Sequence, residues 1–436
     1  MTIGIGLLGL GTVGAGVAAI LASPTGRHPL VGELALKRVA VRDLNRPRPI
    51  ELSGVLLTTE PEAVVDDPNV DIVVEVMGGL EPARSLILAA IAAGKPVVTA
   101  NKAVIARYGE EIAAAAAAHG VYVLIEAAVG GGIPIIEPLK QSLGGNRIQR
   151  VSGIINGTTN YILSRMADEG AAYGDVLADA QRLGYAEADP AADVEGGDAA
   201  DKIAILSGLA YGGSIERAAI PTEGINKLHS RDVNYAAQLG YVVKLVATAQ
   251  FLGTDPDGTV QLDVRVNPTL LPKEHPLAGV HGVNNAILVE GDPVGRVMFY
   301  GPGAGAGPTA SAVVADILNI AGIREASGQG GGLDPLLAAS RWRTCRLVDP
   351  GQTQHRNYLR LQTGDQAGVI GRIGSCFGDE GVSIRSIVQF ETSGACADAE
   401  IVVITHEVQE ANFRRALAAI TALPDVKAVA ACLRTL

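Results

Sequence analysis

The sequence predicts an α/β protein: a parallel sheet covered by helices, then an α+β domain, then a small β-α-β-β-α-β module. Three observations carry this reading. Over residues 2–126 short apolar runs alternate with helical patterns, and strand-helix alternation of that kind builds a parallel sheet with helices on both faces. Beyond Gly130 longer strands mix with helices. After SGQGGGLDP, residues 327–335, which has the composition of a linker, six elements follow in the order of a ferredoxin-like fold. At 436 residues the chain exceeds one ordinary core, for which about 100–200 residues is usual.

In the first domain, 1–130, strands are expected over 2–8, 38–42, 71–76, 96–99 and 121–125. Helices are expected over 81–93 and 101–118, where apolar residues recur every three or four positions. The second domain, 131–304, reads as helices near 134–142, 173–183 and 198–211 and strands over 241–251 and 260–266. A Gly-rich turn at 301–307 leads into an apolar helix near 305–322, placed to pack back on the first domain and complete it. A linker over 323–352 and a module over 353–436 finish the chain.

Composition narrows the function. A net charge of −11 without a basic cluster argues against a nucleic-acid surface. No uninterrupted apolar run approaches the ~18 residues that span a bilayer, and no basic stretch, apolar core and cleavage site open the chain, so no membrane role is expected and a cytoplasmic address is. Cys345, Cys376, Cys396 and Cys432 show no C-x-x-C spacing, which suits free thiols in a reducing compartment and offers no metal site. The partner expected is a small molecule.

Near the start, the pattern G-x-G-x-x-G occurs twice, at Gly4, Gly6, Gly9 and at Gly9, Gly11, Gly14. Such a pattern holds a pyrophosphate only where a strand ends and a helix begins, because the helix N-terminal amides and dipole do the holding. The first copy lies inside the strand, where its glycines suit close packing against neighbours. The second sits at the turn, and Gly9, Leu10, Gly11, Thr12, Val13 and Gly14 become the cofactor-binding candidates of a Rossmann-type domain. At the end of the second strand VAVRDLNRPR places Arg42 and then Asp43. Arginine suits the 2′-phosphate of NADP, and the acid suits the ribose of NAD; NADP is the expectation and NAD the alternative.

Residues 183–206, LGYAEADPAADVEGGDAADKIAIL, gather acids around one lysine in a segment that ends as a helix. Asp198 stands at the helix start, with Lys202 one turn on along the same face. One reading is a cap plus a surface ion pair worth a few tenths of a kcal/mol. The other is a buried lysine oriented by a carboxylate, the arrangement that moves a proton to or from an alcohol or aldehyde oxygen. Spacing leaves both open.

Six ordered motifs bear on the choice: GLLGLGTVGAGV, TANKA around Lys102, EAAVGGGIPI, GIINGTTNYIL, LGYAEADPAADVEGGDAADK and GPGAGAGPTASAVVAD. Together they resemble homoserine dehydrogenase, and the tail is similar to the ACT regulatory domain. The resemblance implies reversible NAD(P)H-dependent reduction of aspartate 4-semialdehyde to homoserine, on the path to threonine, methionine and isoleucine. The long strands of the central, catalytic and dimerisation domain and the edge strands of the ACT module favour self-association, as a homodimer or homotetramer. Lys202 would be the general acid/base and Asp198 would position it. Glu187 would hold the substrate amino group, beside Asp193, with Thr158 and Tyr185 lining the pocket. Lys102 would sit near the nicotinamide and phosphates, and Gly303 would close over the cofactor. Glu126 with carbonyls from Val129, Gly131 and Ile133 would surround a monovalent cation, sodium by family precedent.

Two rivals are weighed against this. Oxidation of the same aldehyde to an acyl intermediate needs a thiolate nucleophile, and no cysteine precedes Cys345. A non-catalytic sensor of nucleotide and amino acid is the alternative from another class, and the joint presence of Lys202, Asp198 and Glu187 disfavours it. In the tail, threonine is the expected ligand at TGDQAGVIG, residues 363–371, where Ala367 stands in place of the proline frequent in such modules.

Overall fold

The computed structural model describes residues 2–48, 50, 52–327, 343–391 and 398–435. Its first sheet comprises β1 (Ile3–Leu8), β2 (Leu34–Ala40), β3 (Leu56–Thr58), β4 (Ile72–Glu75), β5 (Val97–Thr99) and β6 (Val123–Leu124). All are parallel, in the order β3-β2-β1-β4-β5-β6, which is the Rossmann arrangement. Helices α1 (Thr12–Ala22), α2 (Glu62–Val65), α3 (Ala83–Ala92) and α4 (Lys102–His119) connect them. β1 is central and covered on both faces. A Cβ on Gly4 would lie 1.8 Å from the Asn69 carbonyl oxygen, and one on Gly6 would lie 2.6 Å from Val64, so the two strand glycines serve packing. The short edge strand β3 is absent from the sequence reading, because three residues give no periodicity to detect.

The second sheet begins with β7 (Arg147–Ile154), β8 (Gly213–Ser214), β9 (Tyr241–Thr254), β10 (Val260–Pro272), β11 (Asn284–Asp292) and β12 (Gly295–Pro302), which the helices α5 (Gly157–Glu169), α6 (Tyr173–Arg182), α7 (Ala191–Val194), α8 (Gly197–Tyr211) and α9 (Ser230–Gln238) accompany. Its antiparallel core runs β12-β11-β7-β9-β10. Helix α8 packs between this sheet and α4 of the first domain and is buried almost throughout. A helix apolar on every side belongs in a core, and Lys202 is carried into it.

Helix α10 (Ala306–Ser327) returns to the first domain and lies against α1. A Cβ on Gly16 would stand 2.6 Å from the Ala306 carbonyl oxygen. By length and composition residues 306–324 could cross a membrane. Here Ala310, Val313, Ile317, Ile320 and Ala321 are instead fully buried in the core of the nucleotide domain.

The C-terminal part holds β13 (Arg343–Leu347), β14 (Gln354–Gly364), β15 (Ile384–Glu391), β16 (Asp398–Thr405), β17 (Val408–Gln409) and β18 (Val426–Thr435), with α11 (Val369–Asp379) and α12 (Glu410–Thr421) on its sheet. The β-α-β-β-α-β order is the one expected. Its attachment differs from a module on a linker. The end of β18 pairs in parallel with β10, Thr269 opposite Arg434 and Leu270 opposite Thr435, so one 12-stranded sheet runs through both parts. The stretch read as linker over 323–352 contains the end of α10 and β13, which pairs with β10 and β8. Most of SGQGGGLDP, from 328 on, lies outside the described residues, as does Cys396. Cys345, Cys376 and Cys432 form no disulfide among the described residues.

An ionic knot joins the C-terminal sheet to α9. Arg360 on β14 donates to Asp232 Oδ1 at 2.6 Å and Oδ2 at 3.1 Å, and to Glu400 Oε1 at 2.7 Å. Tyr235 donates to Glu400 Oε2 at 2.5 Å and stacks on Phe390. All three charged groups are buried.

Candidate active site

At the end of β1 the chain turns through Gly9, whose φ of +101° suits glycine alone. Its N–H is donated to the Ala40 carbonyl at 3.1 Å, and a Cβ there would meet the Val76 carbonyl oxygen at 2.9 Å. Gly14 packs so closely on the turn that a Cβ would lie 2.3 Å from the Gly9 oxygen. Gly11 faces open space, with nothing within 4 Å of its ideal Cβ, and no side chain caps the α1 amides. Leu10 and Val13 are half-buried, and Gly11 and Thr12 are exposed. An open mouth and uncapped N–H groups fit a pyrophosphate.

Arg42 and Asp43 are both exposed beyond β2. Asp43 Oδ1 accepts from the Asn45 N–H at 2.8 Å, and Arg48 is tied to the carbonyls of Asp43, Leu44 and Arg46. Among the described residues nothing is paired with the Arg42 guanidinium.

The second half of the site centres on Asp198, a buried residue in the first turn of α8. The expected cap is not formed. Gly196 is the N-cap residue, in the left-handed conformation, and no side chain bonds the helix amides. The Asp198 carboxylate instead joins two lysines: Oδ2 lies 2.7 Å from Lys202 Nζ and Oδ1 lies 2.8 Å from Lys102 Nζ. Lys202 is buried and also donates to the Ile155 carbonyl at 2.7 Å. Burial pushes the Asp198 carboxyl up, but the two ammonium groups outweigh it and hold the pKa well below the ordinary carboxylate range. For Lys102 burial works against the charge, yet Asp198, with Asp193 and Asp201, keeps the ammonium above its usual value. The surface ion pair of the first reading is therefore a buried, doubly paired carboxylate.

The motif TANKA explains how Lys102 arrives there. Thr99 Oγ donates to Glu75 at the end of β4 and accepts from the Asn101 N–H. Asn101 caps α4 at the Val104 N–H and donates to the Gly79 carbonyl. The next residue, Lys102, leaves the carboxyl ends of the parallel strands, where ligands bind in such sheets, and reaches across to α8.

Asn156 is a member of the site that the sequence reading left without a role. It caps α5 at the Thr159 N–H, and its Nδ2 donates to both Asp193 Oδ1 at 2.7 Å and Asp198 Oδ2 at 2.9 Å. The signal available was the NGTT string at a helix start; the bridge to two distant acids has no local signature. Thr158 donates to the Tyr185 carbonyl at 2.6 Å, and the Tyr185 ring packs on Tyr161 at 5.0 Å. Glu187 is exposed, and among the described residues no hydrogen bond or ion pair ties its carboxylate to the Asp198 network. Gly303 lies flush against the Asn285 amide, which a Cβ would overlap at 1.9 Å, and its carbonyl meets Gly131.

At the expected cation loop Glu126 is buried, and its carboxylate accepts three backbone N–H groups, from Ile135 at 2.6 Å, Ile136 at 2.9 Å and Glu137 at 2.8 Å. Burial pushes its carboxyl up despite these amides. Among the described residues no turn N–H is donated to the carbonyls of Glu126, Val129, Gly131 or Ile133. Asp316 of α10 accepts from the Glu126 N–H at 2.8 Å through Oδ2, while its buried Oδ1 has no partner. Carbonyls that accept no turn N–H among the described residues, together with the orphaned Asp316 oxygen, are oxygen donors of the kind a hard cation takes.

A cavity of about 880 Å³ lies elsewhere, between α4 and the far side of α8, with Ile105, Ala113, Ala204, Leu209 and Ile215 in its wall. Neither Lys202 nor Asp198 lines it, so the chemistry is not there.

An alcohol and an aldehyde are interconverted by a nicotinamide cofactor wherever a dinucleotide turn faces a group that can move one proton. The α1 turn and the Lys202–Asp198 pair are the candidates for these two parts, in a fold of the NAD(P)-dependent oxidoreductase class. Family models agree with the parts described. "Homoserine dehydrogenase, NAD binding domain" matches residues 9–126, "Homoserine dehydrogenase" 134–318 and "ACT domain" 357–425. The homoserine dehydrogenase of a Synechocystis strain is 56% identical over 436 residues, covering 100% of each chain. The crystal structure of one from Thiobacillus denitrificans superposes with a TM-score of 0.90 at 42% identity, covering 100% of this chain and 98% of that one. A hyperthermophilic archaeal homoserine dehydrogenase in complex with NADPH gives a TM-score of 0.62 at 29% identity, covering 74% of this chain and 98% of that one. The chain belongs to the homoserine dehydrogenase family, and its reaction is the NAD(P)H-dependent, reversible reduction of L-aspartate 4-semialdehyde to L-homoserine.

Proposed function

We propose that Lys202 is the general acid/base of this reaction and that Asp198, shared with Lys102, sets its position. The observation that carries the reading is the donor count at Lys202. An ammonium has three N–H donors; one is held by the Ile155 carbonyl and one by Asp198. The third is left for a substrate oxygen. In the reducing direction negative charge develops on the aldehyde oxygen, and this N–H stabilises it and then hands over the proton. With both lysines protonated, the Lys102–Asp198–Lys202 group carries one net positive charge, and it is neutral after the transfer. The bound nicotinamide supplies the hydride. Lys102 and Asp198 hold the two domains in register, so the reacting carbons meet in an orientation that costs no further ordering.

Glu187, exposed and with no partner for its carboxylate among the described residues, is free to take the substrate amino group, and Asp193 extends the same acidic wall. Thr158 fixes the Tyr185 backbone at the pocket rim. NADP is the preferred cofactor on this reading, since Arg42 is available for a 2′-phosphate while Asp43 is engaged by Asn45. Gly9, Leu10, Gly11, Thr12, Val13 and Gly14 cradle the pyrophosphate, and Gly303 closes over it. Glu126, Val129, Gly131 and Ile133 hold a sodium ion that stiffens the domain junction. Threonine binds the ACT module and regulates the enzyme. The edge strand β12, with Met298 and Tyr300 exposed, favours a homodimer or homotetramer. The enzyme works in the cytoplasm.

Asp198→Asn tests the shared carboxylate, because it keeps the shape and removes the charge. It should lower kcat for semialdehyde reduction by about 100-fold or more and leave the NADPH dissociation constant within about twofold. An unchanged kcat would refute the assignment.

A further inference from the structure

The orphaned oxygen of Asp316 has no role in hydride or proton transfer. This carboxylate, on the buried side of α10, is wholly inaccessible to solvent. Oδ2 accepts from the Glu126 N–H at 2.8 Å and Oδ1 has no hydrogen-bond partner. A second buried carboxylate, that of Glu126, starts from the same residue, and both its oxygens are taken by the amides of Ile135, Ile136 and Glu137. Lys140, the cationic side chain facing this group, is paired with Glu137 at 3.2 Å. Among the described residues the two buried acids thus lack a cationic side chain of their own. Burial drives both carboxyls toward the neutral form, and a buried charge is kept where it is paired or holds a metal.

The carbonyls of Val129, Gly131 and Ile133 follow within the same loop and accept no turn N–H among the described residues. We infer that Asp316 is the interior anionic member of the cation site, its free Oδ1 supplying the negative charge that neutral carbonyls lack. The inference rests on the cation reading given above and adds a residue from α10, nearly two hundred positions beyond the loop. The cation then has a structural role as well. It joins the junction loop to the helix that completes the nucleotide domain, so that both halves of the cleft share one fixed point.

The test is the thermal unfolding midpoint of the full-length protein, titrated with sodium chloride against choline chloride at constant ionic strength. For the unaltered protein a saturable, sodium-specific rise is expected. Asp316→Asn, which keeps an oxygen to accept from the Glu126 N–H, should need at least about tenfold more sodium for the half-maximal rise. Asp316→Leu, with the same branching and no oxygen, should lose the sodium dependence while still folding in choline chloride. A half-maximal concentration unchanged in Asp316→Asn overturns the inference and leaves the cation site standing. Absence of any sodium-specific rise in the unaltered protein overturns the cation reading, and the inference with it. If neither variant folds in either salt, Asp316 serves folding without reference to a cation and the proposal falls.

Discussion

Asn156 determines whether the acids at the centre of the site are held or loose. One amide group donates to Asp193 and Asp198, and its oxygen caps α5. Asn156→Ala removes the cap and leaves Asp198 with the two lysines alone. A lost cap costs about 1 kcal/mol, and the lost hydrogen bonds to the two carboxylates cost about 1–3 kcal/mol more. The expected result is a stability loss of about 2–4 kcal/mol by urea denaturation, together with a fall in kcat of about tenfold from the misplaced acid/base. A variant with normal kcat would show that the lysines suffice to place Asp198. Single residues were the least legible level of the sequence. Lys202 and Asp198 were visible as an i, i+4 pair, but their burial was not, since it comes from α4 and the second sheet closing around α8. Lys102 could be matched by its motif, while its contact with Asp198 spans a distance that no periodicity encodes.

Elements read more clearly, because each is written in a local pattern. The six elements of the C-terminal module, expected over 358–363, 367–377, 382–390, 399–406, 410–420 and 427–434, match β14, α11, β15, β16, α12 and β18 to within about four residues at each end, as do α4, α6, α8 and β9. β7, β11 and β12 went unread. β11 is buried on both faces over most of its length and β7 over its second half, and β12 is an edge strand whose exposed face carries apolar residues. The contact between elements that matters most for stability is α9 on β14. Arg360 bridges Asp232 and Glu400 with all three groups buried. Removing Arg360 leaves Asp232 without a cationic partner among the described residues and Glu400 with Arg231 alone, at 3.1 Å. Arg360→Ala should therefore cost about 3–5 kcal/mol, read from denaturant midpoints. A cost below about 1 kcal/mol would mean that the knot behaves like a surface pair.

At the scale of the molecule, the dinucleotide turn on α1 and the Lys202–Asp198 pair on α8 are brought together by α4, which carries Lys102 from one domain to the other. The sheet that supports α8 continues without a break into the C-terminal module through β10 and β18. The sequence suggested a tethered module because Gly-rich composition marks a linker well, whereas pairing between strands more than one hundred residues apart leaves no local trace. The continuity joins the C-terminal module directly to the sheet that supports α8. Both domains and the helix between them close around Lys202, the residue proposed as proton donor. The decisive measurement is the initial rate of NADPH oxidation with aspartate semialdehyde for Lys202→Ala, alongside its NADPH dissociation constant. Binding should stay within about twofold of the unaltered protein while kcat falls by about 10²–10⁴-fold; normal binding with a rate near that of the unaltered protein would contradict the assignment of Lys202.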